Sequence, residues 1–186
     1  MEATELLINR VSSPVLEGPA PTAEQLDLIY RAALRAPDHG NLKPWRFIQI
    51  EGEGRDRLAD LFIEVAKTKN PDMSDAEIEK LRGKPLRAPM IIVVVAKLID
   101  HPKVPQIEQQ IAAGCAAHGI LLAAFAQGVD AIWRTGSMAF DPMVFRGLGL
   151  EENEQITGFL YLGKARKHRA LPDLNPADFV QQWGQS

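Results

Sequence analysis

Apolar residues recur along the chain in helical, alternating and unbroken patterns, and each predicts a different element. At helical spacing, Leu26, Ile29, Tyr30, Ala33 and Leu34 form a stripe on a helix opened by Thr22, with Gln25 completing a capping box. Pro37 disfavours helix at the residue before it, so this helix is expected to stop near Ala36. Residues 2–9 read as a shorter helix, and 54–69 (Leu58, Leu61, Phe62, Val65) and 75–83 as two more. Partial alternation over 45–50 predicts a strand. The unbroken run Met90 to Val95, within 89–97, predicts a strand buried on both faces. Further strands are expected over 130–136 and 156–163, with a short helix over 142–148.

The longest predicted helix covers 105–127. Ile107, Ile111, Cys115, His118, Leu122 and Phe125 follow one stripe, while the other faces carry Ala112, Ala113, Gly114, Ala116, Ala117, Ala123 and Ala124. A helix apolar or small nearly all round is expected to be buried. Cys115 then reads as a core residue rather than a nucleophile, and Gly128 fits the position that ends the helix. Helices and strands mix without strict βαβ alternation. The expected class is therefore α+β, with a mainly antiparallel central sheet flanked by helices, in one domain spanning 1–186.

Composition narrows the function classes. An apolar fraction of 46% and a charged fraction of 24% are ordinary globular values. The net charge of -3 is scattered along the chain, which excludes a basic nucleic-acid footprint or a polybasic membrane patch. With one cysteine there is no internal disulfide, which fits the cytoplasm. The acidic start lacks the basic region and apolar run of a secretory leader. The longest apolar run, Met90 to Ala96, is far short of the roughly 20 residues that span a bilayer. A cytoplasmic protein is expected. No G-x-G-x-x-G, GK[ST] or G-x-S-x-G occurs, and His39, His101, His118 and His168 never pair at helical spacing, so a Rossmann fold, a serine hydrolase and a zinc site are not expected.

Three segments hold more polar chemistry than folding alone requires. Asn9-Arg10-Val11-Ser12-Ser13 pairs a guanidinium with hydroxyls, a combination able to grip a phosphate, although it also fits a plain helix end. The stretch from Arg31 to Trp45 packs Arg35, His39, Asn41, Lys43 and Trp45 around a loop fenced by Pro37 and Pro44. Gly128 to Gly136 is a strand ending in Trp133-Arg134-Thr135, which equally suits an ordinary strand and turn.

In this order the segments resemble the FMN-dependent nitroreductases, and among them a compact bacterial subgroup whose Ala-Pro-Asp-His variant stands here as Ala36-Pro37-Asp38-His39. The resemblance spans about residues 2 to 163. It implies a nitroreductase-like fold, an intertwined homodimer sharing each flavin, and a ping-pong oxidoreductase. NADH or NADPH would reduce bound FMN, which would then reduce a nitroaromatic or quinone. The same family also contains oxygen-using and dehalogenating enzymes, and a non-catalytic FMN-binding protein is a further alternative.

Position by position, the resemblance implies that Arg10, Val11 and Ser12 hold the FMN phosphate and ribityl chain. Arg35 and His39 would face the flavin from the other subunit, Asn41 sits where the family's loop Asn approaches it, and Trp133, Arg134 and Thr135 would line the isoalloxazine. Leu122, Ala123, Ala124, Phe125, Ala126 and Gln127 match a stretch near the nicotinamide cofactor. Arg134 is the expected catalytic cation, placed to stabilise negative charge at the flavin's pyrimidine edge. The family's further cations after Arg10 are replaced by Val11, Ser13 and Pro14, and its loop Gln by Lys43. Lys43 or the basic tail (Lys164, Arg166, Lys167, Arg169) would have to compensate. Phe179, Val180 and Trp183 suggest a tail that docks on a partner subunit.

Overall fold

Local sequence signals place most of the elements, and the sheet shows why they were legible. The computed structural model describes residues 2–167 and 170–184. Helix α1 (Ala3–Asn9) leads through the two-residue strand β1 (Leu16–Glu17) to α2 (Ala23–Ala33). Strand β2 (Trp45–Glu51), helices α3 (Glu53–Lys69) and α4 (Asp75–Arg82), and strand β3 (Met90–Lys97) follow. Helix α5 (Gln106–Ala126), strand β4 (Asp130–Arg134), helix α6 (Pro142–Gly147) and strand β5 (Glu154–Ala165) complete the order.

All strand pairs are antiparallel: β2 with β3, β3 with β5, and both β4 and β1 with β5. β3 lies at the centre, and each of its faces meets a different apolar layer. Ile92, Val94 and Ala96 pack towards α2 and α5, whereas Ile91, Val93 and Val95 pack among residues of α3 and α6. Two covered faces explain why the strand lacks polar alternation in an antiparallel sheet.

The Thr22–Gln25 capping box forms as expected, with both reciprocal hydrogen bonds. Helix α2 nevertheless ends at Ala33, short of Ala36. Its last turn tightens as the amides of Arg35 and Ala36 donate to the carbonyls of Ala32 and Ala33. β4 ends at Arg134 rather than 136, because Gly136 takes a left-handed φ of 74° and opens a 3-10 turn over Ser137–Phe140. β5 runs past the expected Gly163 to Ala165, where Lys164 and Ala165 pair with β1.

Helix α5 corrects the sequence expectation most. By length and composition it is apolar enough to cross a membrane, but its small-residue face is inside the fold. Ala112, Ala113, Ala116, Ala117, Ile120 and Ala124 are buried, and Gly119 lets the helix close on α2, where an added Cβ would stand 3.1 Å from the Ala32 carbonyl oxygen. The other stripe, expected to be buried with the rest of the helix, points away from the core. Ile107 and Ile111 are 59% and 58% exposed, His118 is exposed, and Cys115 is only partly covered. Alanines pack closer to a neighbouring backbone than isoleucines can, so the small face wins the interior.

One buried ion pair ties the sheet to the β5 entry. Arg46 holds Glu154 through two hydrogen bonds of 2.7 and 2.6 Å, and Glu154 is almost fully buried. The Arg46 guanidinium depresses the Glu154 carboxyl below its ordinary value, against the opposing effect of burial. A depressed folded-state pKa means the pair stabilises the protein above the unfolded value, about pH 4.3, and loses that contribution as pH falls through the lower folded value. Glu154→Gln is expected to cost about 1–3 kcal/mol at pH 7, with the gap to wild type shrinking below about pH 4.3. Urea titrations at pH 7 and in acid check this, and a gap that widens in acid would contradict it.

Candidate active site

The predicted residues gather at two separate places on the chain. The first lies at the end of β4. The Ser13 amide donates to the Ala131 carbonyl at 3.1 Å, and Arg134 Nη2 donates to the Pro14 carbonyl at 2.8 Å. These bonds lay the Arg10–Pro14 segment along the strand. Within it, Arg10 Nη1 donates to Ser12 Oγ at 3.4 Å. Ser13 is fully buried, and its Oγ has no hydrogen-bond partner among the described residues.

Beside this segment is a cavity of about 360 Å³, lined by Arg134, Thr135 and Gly136 together with Lys84, Arg87, Phe62, Met138 and Tyr161. Its size falls in the range of small-molecule sites, about 300–1,000 Å³. The Arg134 guanidinium stands 5.7 Å from the centre of the Tyr161 ring, within cation–π range. Burial raises the Tyr161 phenol above its ordinary value, while Arg134 and Arg87 pull it the other way. The cavity therefore offers cations and aromatic surface around one apolar floor, which suits a planar ligand with an electron-rich edge.

Lys84 and Arg87 were not among the residues singled out for this site. Their signal was present in Lys84-Pro85-Leu86-Arg87-Ala88-Pro89, two cations each followed closely by a proline just before a buried strand.

Trp133 also borders this cavity, but strand alternation turns its side chain and that of Arg134 apart. Ile132 and Arg134 face the α3 side with Tyr161, while Ala131 and Trp133 face α5. A register shift at Val94/Val95 accompanies this, and Trp133 Nε1 donates to the Thr157 carbonyl at 3.3 Å. The indole covers Gly158 so closely that an added Cβ would lie 2.0 Å from Nε1, and its far edge approaches Gly114 of α5. Gly158→Ala is expected to displace Trp133 and cost about 1–3 kcal/mol. Thermal unfolding and tryptophan fluorescence measure both effects, and an unchanged protein would contradict this packing.

The second place is the loop after α2. Arg35, Asp38, Asn41, Lys43 and Trp45 surround a cavity of about 330 Å³. The Lys43 amide donates to Asp38 Oδ2 at 2.7 Å, and His39 Nδ1 lies 2.6 Å from Glu108 Oε2. Gly40, Asn41 and Lys43 all have positive φ, of 75°, 55° and 51°. That conformation is unusual for lysine, and such strain gathers at functional sites. No described residue lines both this cavity and the first.

Leu122 to Gln127 join neither cavity. Ala124 is buried, and Gln127 exchanges hydrogen bonds with Gln25 at the start of α2. Two of the proposed spare cations are engaged locally: Lys164 donates to the Gly128 carbonyl and Arg166 pairs with Glu17 at 3.1 Å. Arg169 and His168 lie outside the described residues. The outward stripe of α5 adds to a set of exposed apolar side chains, including Leu7, Ile8, Leu28 and Leu34, and in the tail Leu174, Phe179, Val180 and Trp183.

Sequence comparison decides the family. The model of the nitroreductase family matches residues 12–164. The chain belongs to the nitroreductase family. It is 47% identical over 180 residues to the Escherichia coli K12 protein named "Putative NAD(P)H nitroreductase YdjA", covering 95% of this chain and 97% of that one. The nitroreductase-like family protein of Bacillus cereus superposes with a TM-score of 0.81 at 22% identity, over 100% of this chain and 97% of that one. The FMN-dependent nitroreductase NfnB of Mycobacterium smegmatis, solved with NADPH, gives 0.75 at 16% identity over 97% of both chains. The fold is nitroreductase-like, and membership in this family makes the chain an oxidoreductase.

Proposed function

We propose that two copies of this nitroreductase-family chain share FMN sites at their contact, in the cytoplasm, and carry electrons from NADH or NADPH to an electron-poor acceptor such as a nitroaromatic or quinone. The observation that carries this reading is that Trp133, Arg134 and Thr135 line one cavity and Arg35 and Asn41 another, with no described residue in common, on a chain whose longest helix turns Ile107 and Ile111 outward. A second copy would cover that stripe and bring the Arg35–Lys43 loop of one chain to the β4 end of the other. The exposed Phe179, Val180 and Trp183 would gain a surface in the same contact.

The residues present fit FMN. Arg10 and Ser12 form a polar pair suited to the phosphate and ribityl chain, and Ser13 offers a buried hydroxyl with unmet hydrogen-bonding capacity. Arg134, Lys84 and Arg87 supply positive charge beside aromatic walls, where an isoalloxazine would rest. Arg134 reaches the carbonyl of Pro14, at a place in the motif where the family usually carries another cation. Its guanidinium would supply that charge from the neighbouring strand. When bound, FMN supplies the hydride chemistry, accepting from the nicotinamide and giving to the acceptor at one place.

The side chains then bind, orient and exclude water. Arg134 and Lys84 would stabilise negative charge at the ligand's pyrimidine edge. Trp133, fixed from behind by Thr157 and Gly158, would keep β4 rigid under it. Arg35, His39 and Asn41 would close the site from the second copy. Leu122 to Gln127 have no assigned role in this proposal.

Steady-state rates with NADH or NADPH varied against a nitrofuran or a quinone test the reading. Parallel double-reciprocal lines are expected for a site that the two substrates visit in turn. Intersecting lines would overturn the shared-place mechanism.

A further inference from the structure

We propose that Glu108 is a positioning residue for His39, fixing which ring nitrogen the imidazole turns towards the ligand. The inference rests on the flavin reading for the ligand and for the place of His39 beside it, since His39 lines neither cavity on the isolated chain. His39 Nδ1 and Glu108 Oε2 are 2.6 Å apart, although the residues are far separated in sequence and sit on a loop and on the first turn of α5. An ionised carboxylate only accepts, so Nδ1 carries the hydrogen and donates. Nε2 is then the atom left for a ligand, as an acceptor in the neutral ring and as a donor in the charged one. The same arrangement of a carboxylate behind a histidine fixes the tautomer in many sites.

Glu108 is itself held by a stiff frame. Its neighbour Gln109 is buried and makes three hydrogen bonds, accepting from the Ile99 amide and donating to the carbonyls of Ile99 and Val104. His101 Nδ1 accepts from the amides of Lys103 and Val104 and tightens the same turn. Val104, almost fully buried, stands where a Cβ on Gly40 would come within 3.1 Å of its Cγ2, so the His39 loop rests directly on this frame. The His39–Glu108 pair is about half exposed, and an ion pair that exposed adds little to folding stability. Orientation of the ring is what the geometry has left for it to do.

The test uses the full-length ¹⁵N-labelled protein, with and without FMN, and reads the His39 tautomer from long-range ¹H–¹⁵N correlations of the neutral ring, assigned by their loss in His39→Asn. Wild type is expected to show Nδ1–H. Glu108→Gln and Glu108→Ala are expected to show mixed tautomers and FMN binding weaker by about tenfold, a typical effect of losing such a partner. An Nε2–H ring in wild type, or a tautomer unchanged in both variants, would overturn the proposal. If wild type binds no FMN, the flavin reading fails while the tautomer still decides the role of Glu108.

Discussion

Ile111→Asp is expected to leave the chain folded, monomeric and unable to retain FMN. Ile111 lies in the second turn of α5 on its outward stripe, with Ile107 one turn before it, and both are more than half exposed on the isolated chain. The opposite face of the helix holds the fold through alanines and close backbone approach, so the substitution does not touch the core. In a twofold contact each change occurs twice. Losing about 2 kcal/mol of apolar burial per copy corresponds to roughly a thousandfold weaker association, before the cost of burying a carboxylate is added. If each site takes residues from both copies, as proposed, flavin should leave with the dimer. Sedimentation, circular dichroism and flavin absorbance follow the three consequences separately. A folded Ile111→Asp protein that stays dimeric and yellow would refute the shared site.

The second large effect is expected from Arg134→Ala. Arg134 ties β4 to the Arg10–Pro14 segment through the Pro14 carbonyl, lines the larger cavity and stands over Tyr161. Removing a preorganised donor from a charge-stabilising site typically slows the chemical step by about 10²–10³-fold, and the loosened segment should weaken FMN binding as well. Arg134→Lys keeps the charge but not the planar, many-donor head, so only partial recovery is expected. Anaerobic stopped-flow mixing with NADH or NADPH measures the rate, and a redox titration measures the potential. If neither changes in Arg134→Ala, the assigned role is wrong.

What the sequence reveals here depends on how local each cause is. The Thr22–Gln25 cap is written within four residues and forms as expected. The β3 run needs only its own side chains to declare burial on both faces. The family motifs are local too, which is why Arg10, Arg35, His39 and Arg134 stood out before any fold was known. By contrast, β1 is two residues long and exists only because Lys164 and Ala165 extend β5 to meet it. The burial of α5 was overestimated because a helix apolar or small nearly all round reads as covered on every side, whereas only its small face closes on the fold, through the approach at Gly119. Lys84 and Arg87 reach the cavity because the segment after α4 lines it together with the end of β4, a meeting of distant segments that no spacing records. Period-two alternation could have warned that Trp133 and Arg134 point to opposite faces of the sheet. The same outward isoleucines that defeated the burial expectation now give the strongest reason to expect a partner.

The most direct test of the shared flavin site is the visible absorption spectrum of purified protein, loaded with FMN and desalted, before and after NADH or NADPH is added without oxygen. A stoichiometric flavin band that survives desalting and bleaches on addition of the reductant is the predicted result. A colourless protein that ignores added FMN would contradict the account at its centre.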